Sequence, residues 1–206
     1  MIKSTLVFDP VFDTQKTFVQ LMNAMAFPGR LMKIEKREFH IDIADPYRYP
    51  AAVFLTLCDN GSAAGFSDDI DDSAADSLLK LCGAGHAAPK AADFFLFSGK
   101  VFSDRLWEIN RGTLDFPEHS TTAIIMVEFL ENGQSASAES AYTVTGPGVK
   151  YKRSFSAAGL DPGYIGAREI LNDVYPTGID YFLCDPEGHI CGLPRTVACE
   201  SAGGEN

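Results

Sequence analysis

The sequence has no run of about 18 apolar residues, the length a membrane-spanning helix needs, and its densest apolar stretch, Ala123 to Val127, is only long enough for a strand. It has a single tryptophan and five cysteines among 206 residues. Those cysteines, at positions 58, 82, 184, 191 and 199, are odd in number and irregular in spacing, which excludes a disulfide framework and suits free thiols. Positive charge is scarce, with 17 Lys and Arg against 28 Asp and Glu and a net charge of -11. That balance repels nucleic acid and gives no general attraction for phosphorylated ligands, so an anion site has to be a local arrangement. There is no G-x-S-x-G to place a serine nucleophile on a strained elbow. Gly83 and Gly85 follow an expected helix and precede an expected strand, the reverse of a phosphate loop, so the segment reads as a plain connection with His86 on a surface loop. The beginning, Met1-Ile2-Lys3-Ser4, meets Asp9 and Asp13 too soon for a secretory leader, and a cytoplasmic location is expected.

What is present is enough apolar material, 46% of residues, to build a core without staples, and one domain over residues 1–206 is expected. The clearest local signal is a hairpin. Ile179 to Cys184 and His189 to Leu193 read as strands around Asp185-Pro186-Glu187-Gly188, where Pro186 presets φ, Asp185 bonds back to the turn, and Gly188 takes the left-handed position of a bulge. Upstream, Asp13 can cap a helix with an apolar stripe of Phe18, Leu21, Met22 and Met25, ending at Phe27-Pro28-Gly29. Leu31 to Phe39 reads as an edge strand or hairpin. Helices are expected over Ala51 to Cys58, after the acidic stretch Asp68 to Asp76, at Leu106 to Ile109, and from the Asp161-Pro162 start through Leu171. Strands are expected at Ala63 to Phe66, Phe94 to Phe97, Tyr142 to Thr145 and Val149 to Phe155. The continuous apolarity of Ala123 to Val127 marks a central strand covered on both faces. The alternation predicts an α/β fold, a mixed sheet with helices on both faces.

Metal chemistry turns on register. Cys184, His189 and Cys191 converge if the hairpin loop has four residues, but a type I turn with a bulge pairs Asp185 with His189 and flips Cys184 away. The turn residues favour the second arrangement, and no metal site is expected. A cysteine nucleophile would need a positive setting, which only Cys191 near Arg195 approaches. The better candidates bind anions. Arg30 follows a well-anchored helix end, where it can pair with free carbonyls or reach into a site. Gly146 and Gly148 expose backbone amides beside Lys150, Lys152 and Arg153, either as a phosphate-binding turn or as a tight turn leading to an exposed strand face. Arg195 stands on the stiff segment Leu193-Pro194-Arg195-Thr196 just past the sheet, a good place to hold an anion.

Several segments in this order are also those of a known family: Phe18 to Met25 with Pro28-Gly29; Leu55-Thr56-Leu57 with Asp59; Gly112-Thr113 with Pro117-Glu118; Thr145-Gly146-Pro147-Gly148; and Pro176 through Gly178-Ile179-Asp180 to Leu193-Pro194-Arg195-Thr196. Over nearly its whole length the chain resembles the PhnH family, the H subunit of the bacterial carbon-phosphorus lyase system. The resemblance implies a three-layer α/β sandwich similar to the large domain of pyridoxal-phosphate-dependent transferases, without the cofactor. It implies a homodimer when isolated and a complex with the G, I and J subunits. That machinery displaces adenine from ATP with an alkylphosphonate, giving a ribose alkylphosphonate triphosphate, and its J subunit later cleaves the carbon-phosphorus bond. Cys82 to His86 departs from the family pattern, so no role is carried onto Cys82 or His86.

Overall fold

The apolar run Thr122–Met126 is the middle strand of a seven-stranded sheet, as unbroken apolarity requires of a strand covered on both sides. The computed structural model describes residues 8–35, 43, 45–133 and 141–201. The first part of the chain gives α1 (Phe12–Ala26), β1 (Leu31–Lys33), α2 (Arg48–Leu57), β2 (Ala63–Phe66), α3 (Asp72–Cys82), β3 (Gly85–His86), β4 (Phe94–Ser98) and β5 (Thr122–Met126). It continues with β6 (Phe129–Asn132), β7 (Ala141–Thr145), β8 (Arg153–Ala158), α4 (Pro162–Leu171), β9 (Asp180–Cys184), β10 (His189–Leu193) and β11 (Ala198–Ser201). Among the described residues the strands form two sheets, one in the order β1-β10-β9-β5-β4-β2-β3 and an antiparallel one in the order β11-β7-β8-β6. The first is mixed: β3, β2, β4, β5 and β9 run parallel, while β10 and β1 close one edge antiparallel.

Side chains of the central strands alternate between two cores. Phe95, Phe97, Ala123, Ile125, Tyr181, Leu183 and Cys191 enter one; Leu96, Ile124, Phe182, Cys184 and Ile190 enter the other. The second core is covered by α1, α2 and α3, as expected of helices packed on a sheet. The first is covered by the antiparallel sheet together with α4. Helices on both faces were expected, and the structure replaces most of one helical layer with strands. The reason lies in Tyr142, Val144, Phe155 and Ala157, apolar at alternate positions, which give that second sheet one buried face.

Local expectations fare unevenly. The hairpin register is the bulged one: Cys184 pairs with Ile190, Asp185 N–H donates to His189 O at 3.1 Å, and Gly188 has φ 83°. Asp161 caps α4 by accepting from Gly163 N at 2.8 Å, with Pro162 in the first turn. Asp71 caps α3 by accepting from Ala74 N, so the acidic stretch is a helix start. For α1, Asp9 rather than Asp13 receives the free N–H groups, from Val11 at 2.8 Å and Phe12 at 2.9 Å. The expected stripe on α1 holds for Leu21 and Met25, which pack on the core, but not for Phe18 and Met22, which are 45% and 52% exposed while Thr17 and Ala24 face inward. Close approach explains it: an added Cβ on Gly192 of β10 would lie 2.5 Å from Ala24 O, so only small residues fit between helix and strand.

Residues 104–108 form a 3-10 turn rather than an α-helix, and Gly85-His86 pairs with β2 as a short edge strand where a plain loop was expected. His86 is exposed and stacks on Phe66 with ring centroids 6.3 Å apart. The expected strand Leu31 to Phe39 is confirmed as an edge strand at β1; its portion beyond residue 35 lies outside the described residues.

Candidate functional site

Three segments singled out in the sequence pack against one another. The end of α1 is tied to the sheet where Gly29 N–H donates to Gly192 O at 3.3 Å, and Gly29 turns the chain with φ 71°. Against it sits the Gly146-Pro147-Gly148 turn. An added Cβ on Gly148, which has φ 82°, would lie 2.8 Å from both Ala26 O and Pro28 Cδ; one on Gly146 would lie 3.2 Å from Thr196 O. The turn is therefore wedged between the helix end and the chain that follows Arg195, and glycine is required there by both space and backbone angle. Arg153 Nη1 donates to Pro28 O at 2.8 Å and pins the contact.

The cations around this junction are disposed differently from one another. Arg30 is exposed with its guanidinium 5.8 Å from the Phe27 ring centroid, and Lys150 is exposed with Nζ 5.5 Å from the Tyr151 ring. Arg195 turns away from them. Its Nε and Nη2 grip Asp180 at 3.3 and 2.6 Å, Nη2 also donates to Ser120 Oγ at 2.5 Å, and Nη1 donates to Pro117 O at 2.9 Å and Pro176 O at 3.4 Å. Every guanidinium N–H thus has an acceptor within the chain, and the anion it holds is the chain's own Asp180 carboxylate. Arg195 stands just past β10 on the expected segment, with its guanidinium engaged inside the chain.

Sequence reasoning passed over Arg168. It lies on the apolar face of α4 among Tyr164, Ile165 and Leu171, is fully buried, and donates from Nη1 to Val197 O and Glu169 Oε1, both at 3.0 Å. Its Nη2 donates to Leu193 O at 3.4 Å and to Pro194 O, and the guanidinium lies 5.8 Å from the Tyr181 ring. Its position three residues after Ile165 and three before Leu171 was the available signal, since a charge in an apolar stripe must be paired or solvated. Arg168 and Arg195 together hold Pro194 to Val197 from two sides.

The remaining polar cluster is the hairpin turn. Asp185 is 1% exposed; Oδ2 accepts from Leu130 N at 3.0 Å and faces His189 Nδ1 at 2.9 Å, while Oδ1 accepts from Glu187 N and His189 N. His189 Nε2 lies 3.3 Å from Lys33 Nζ, so the ring links an internal carboxylate to an edge-strand lysine rather than to a hydroxyl or thiol. Cys184 and Cys191 enter opposite cores, and burial pushes both thiols up from their ordinary value. Among the described residues no group of three or more His, Cys, Asp or Glu side chains is placed to hold a metal ion. Cys191 is sealed in the core and makes a poor nucleophile.

The fold and these clamps define a mixed α/β protein whose strongest polar arrangements brace its own chain. The family model for the bacterial phosphonate metabolism protein (PhnH) matches residues 6–200, and the chain belongs to that family. It is 30% identical over 194 residues to the alpha-D-ribose 1-methylphosphonate 5-triphosphate synthase subunit PhnH of Rhizobium meliloti (strain 1021), covering 93% of this chain and 92% of that one. It is 30% identical over 186 residues to the putative C-P lyase subunit protein HtxG of Stutzerimonas stutzeri, covering 89% of this chain and 84% of the relative.

Proposed function

We propose that this chain is a subunit of a carbon-phosphorus lyase assembly, needed when ribose 1-alkylphosphonate 5-triphosphate is made from ATP and an alkylphosphonate, and that it acts through assembly rather than through chemistry of its own. Its partners are the G, I and J subunits, it forms a homodimer when isolated, it works in the cytoplasm, and its fold is that of a pyridoxal-phosphate transferase large domain without the cofactor. The observation that carries the reading is the outer face of α1, where Val11, Phe12, Phe18 and Met22 stand exposed. Apolar side chains gathered on one helix face suit a protein that meets partners. The relatives named as subunits support it.

The test is co-purification of the tagged chain with the G, I and J subunits, with solution mass measured alone and together. A stoichiometric complex whose turnover of ATP plus phosphonate is lost when this chain is left out supports the proposal, and a dimer indifferent to those subunits overturns it.

A second reading makes the chain itself a nucleotide or phosphonate binder through Arg30, Lys150 and Arg195. In its favour, the Gly148 wedge places the Lys150 turn against the helix end that carries Arg30. Arg195 would join only by exchanging Asp180 for the ligand. Thermal protection of the isolated chain by ATP or methylphosphonate, lost in Arg30→Ala and Lys150→Ala, would support it.

A further inference from the structure

Two of the five cysteines are not sealed in the sheet core. Cys58 follows α2 directly, its N–H donating to Phe54 O at 2.8 Å, and Cys82 is the last residue of α3. Both belong to the apolar cluster under the helical layer, Cys58 at 8% exposure and Cys82 more open. The segments after them are laced together: Gly83 abuts Asn60, Gly85 N–H donates to Ser62 O at 2.9 Å, and Ala63 pairs with Gly85. The two helix ends are therefore held side by side, with both cysteines in the one apolar cluster beneath them.

We propose that Cys58 and Cys82 are an oxidisable dithiol, a modification site at which a peroxide closes a disulfide between the end of α2 and the end of α3. This is independent of the assembly role above. The neighbours assign the two steps. The neighbouring Cys82 and then burial raise the Cys58 thiol, with Asp93 and Asp59 adding to the effect. The nearness of Cys58 lowers the thiol of the more open Cys82 and favours its thiolate.

The Cys82 thiolate attacks one peroxide oxygen, the O–O bond breaks, and sulfenic acid forms as hydroxide leaves. The Cys58 sulfur then attacks the sulfenic sulfur, the S–O bond breaks, and water departs with the Cys58 proton. Two thiols are oxidised to one disulfide and one peroxide is reduced to two waters. Cys184, Cys191 and Cys199 are buried and their thiols are raised by burial, which keeps them out of the reaction.

The test uses the full chain, reduced, freed of reductant and given equimolar hydrogen peroxide with dimedone present to trap sulfenic acid. Intact mass should fall by about 2 Da and return with dithiothreitol, and trypsin should yield residues 49–80 joined to 81–90. Cys82→Ser should abolish the change. Cys58→Ser and Cys58→Ala, checked for folding by circular dichroism, should raise dimedone labelling of Cys82 by roughly tenfold because nothing resolves the sulfenic acid. The proposal is overturned if the wild-type chain keeps its mass, if Cys82 is labelled equally with and without Cys58, or if the new bond maps to Cys184, Cys191 or Cys199.

Discussion

Replacing Arg195 with alanine tests whether this residue is a clamp or a ligand site. The pair it forms with Asp180 is mostly withdrawn from water, with side-chain exposures of 15% for Arg195 and 24% for Asp180. Removing the arginine leaves the Asp180 carboxylate with the bond from Arg195 N–H at 2.7 Å, and strips Pro117 O, Pro176 O and Ser120 Oγ of a donor. Breaking a buried, hydrogen-bonded pair from one side costs about 3–5 kcal/mol, and the surviving backbone bond and partial exposure place this case near about 3 kcal/mol. For a chain of this length each kcal/mol moves the melting temperature by roughly 2–4 °C, so Arg195→Ala should melt roughly 6–12 °C lower. Scanning calorimetry of the wild type, Arg195→Ala, Asp180→Asn and the double variant reads both the loss and the coupling, which should reach about 1–3 kcal/mol for groups in contact. Arg195→Lys should recover only part of it, because an ammonium cannot reproduce the fork. If Arg195→Ala melts within about 2 °C of the wild type while losing protection by ATP or methylphosphonate, the clamp argument fails and the second reading gains.

Other substitutions probe the same logic. Arg168→Leu fills the space but leaves the carbonyls of Leu193, Pro194 and Val197 without their donor; a cost of about 3 kcal/mol or more is expected by urea unfolding. Gly148→Ala meets Ala26 O and Pro28 at a positive φ, and should lower stability by roughly 2 kcal/mol while leaving an alanine placed at Gly166, which has open space, nearly neutral. Met22→Lys on α1 should leave the melting temperature unchanged and abolish co-purification with the partner subunits; intact co-purification would remove that face from the proposal. Acid should act through Asp59, Asp68 and Asp71, whose carboxyls are held below the ordinary aspartate value by hydrogen bonds, first from Gly61, Arg105 and Ser73 respectively. A lowered native pKa contributes stability above the unfolded value and loses it as pH falls through the native one, so calorimetry should show loss beginning near pH 4 and growing below it.

What could be read in advance was local. Pro186 and Gly188 determine the hairpin register by backbone angle alone, Asp161-Pro162 starts a helix by capping chemistry, and Ala123 to Val127 announces its own burial. What could not be read depends on partners distant in sequence. That Arg195 grips the chain's own carboxylate could not be read, because Asp180, Ser120 and Pro117 are invisible to a window around it. The α1 stripe misled at Phe18 and Met22 because Gly192, some 170 positions away, decides how near the helix may come. Arg168 was within reach, since a charge at an apolar position of a helix face predicts buried carbonyls somewhere, though not which ones.

The route of the chain through the two sheets has a consequence for how the protein comes into being. Neighbouring strands β5 and β9 are separated by the whole excursion through β6, β7, β8 and α4, and β11 returns to the antiparallel sheet only after β10 is made. Neither sheet is a continuous piece of chain. The central pair cannot zip until the excursion has been gathered in, and the excursion lacks its β11 edge until the hairpin is finished, so the layers must mature together. Such non-local closure folds slowly, leaving the apolar β5 edge open on a nascent chain that has not yet reached residue 180. Truncation before β9 would not give a smaller stable version of this protein; it would give an aggregating one.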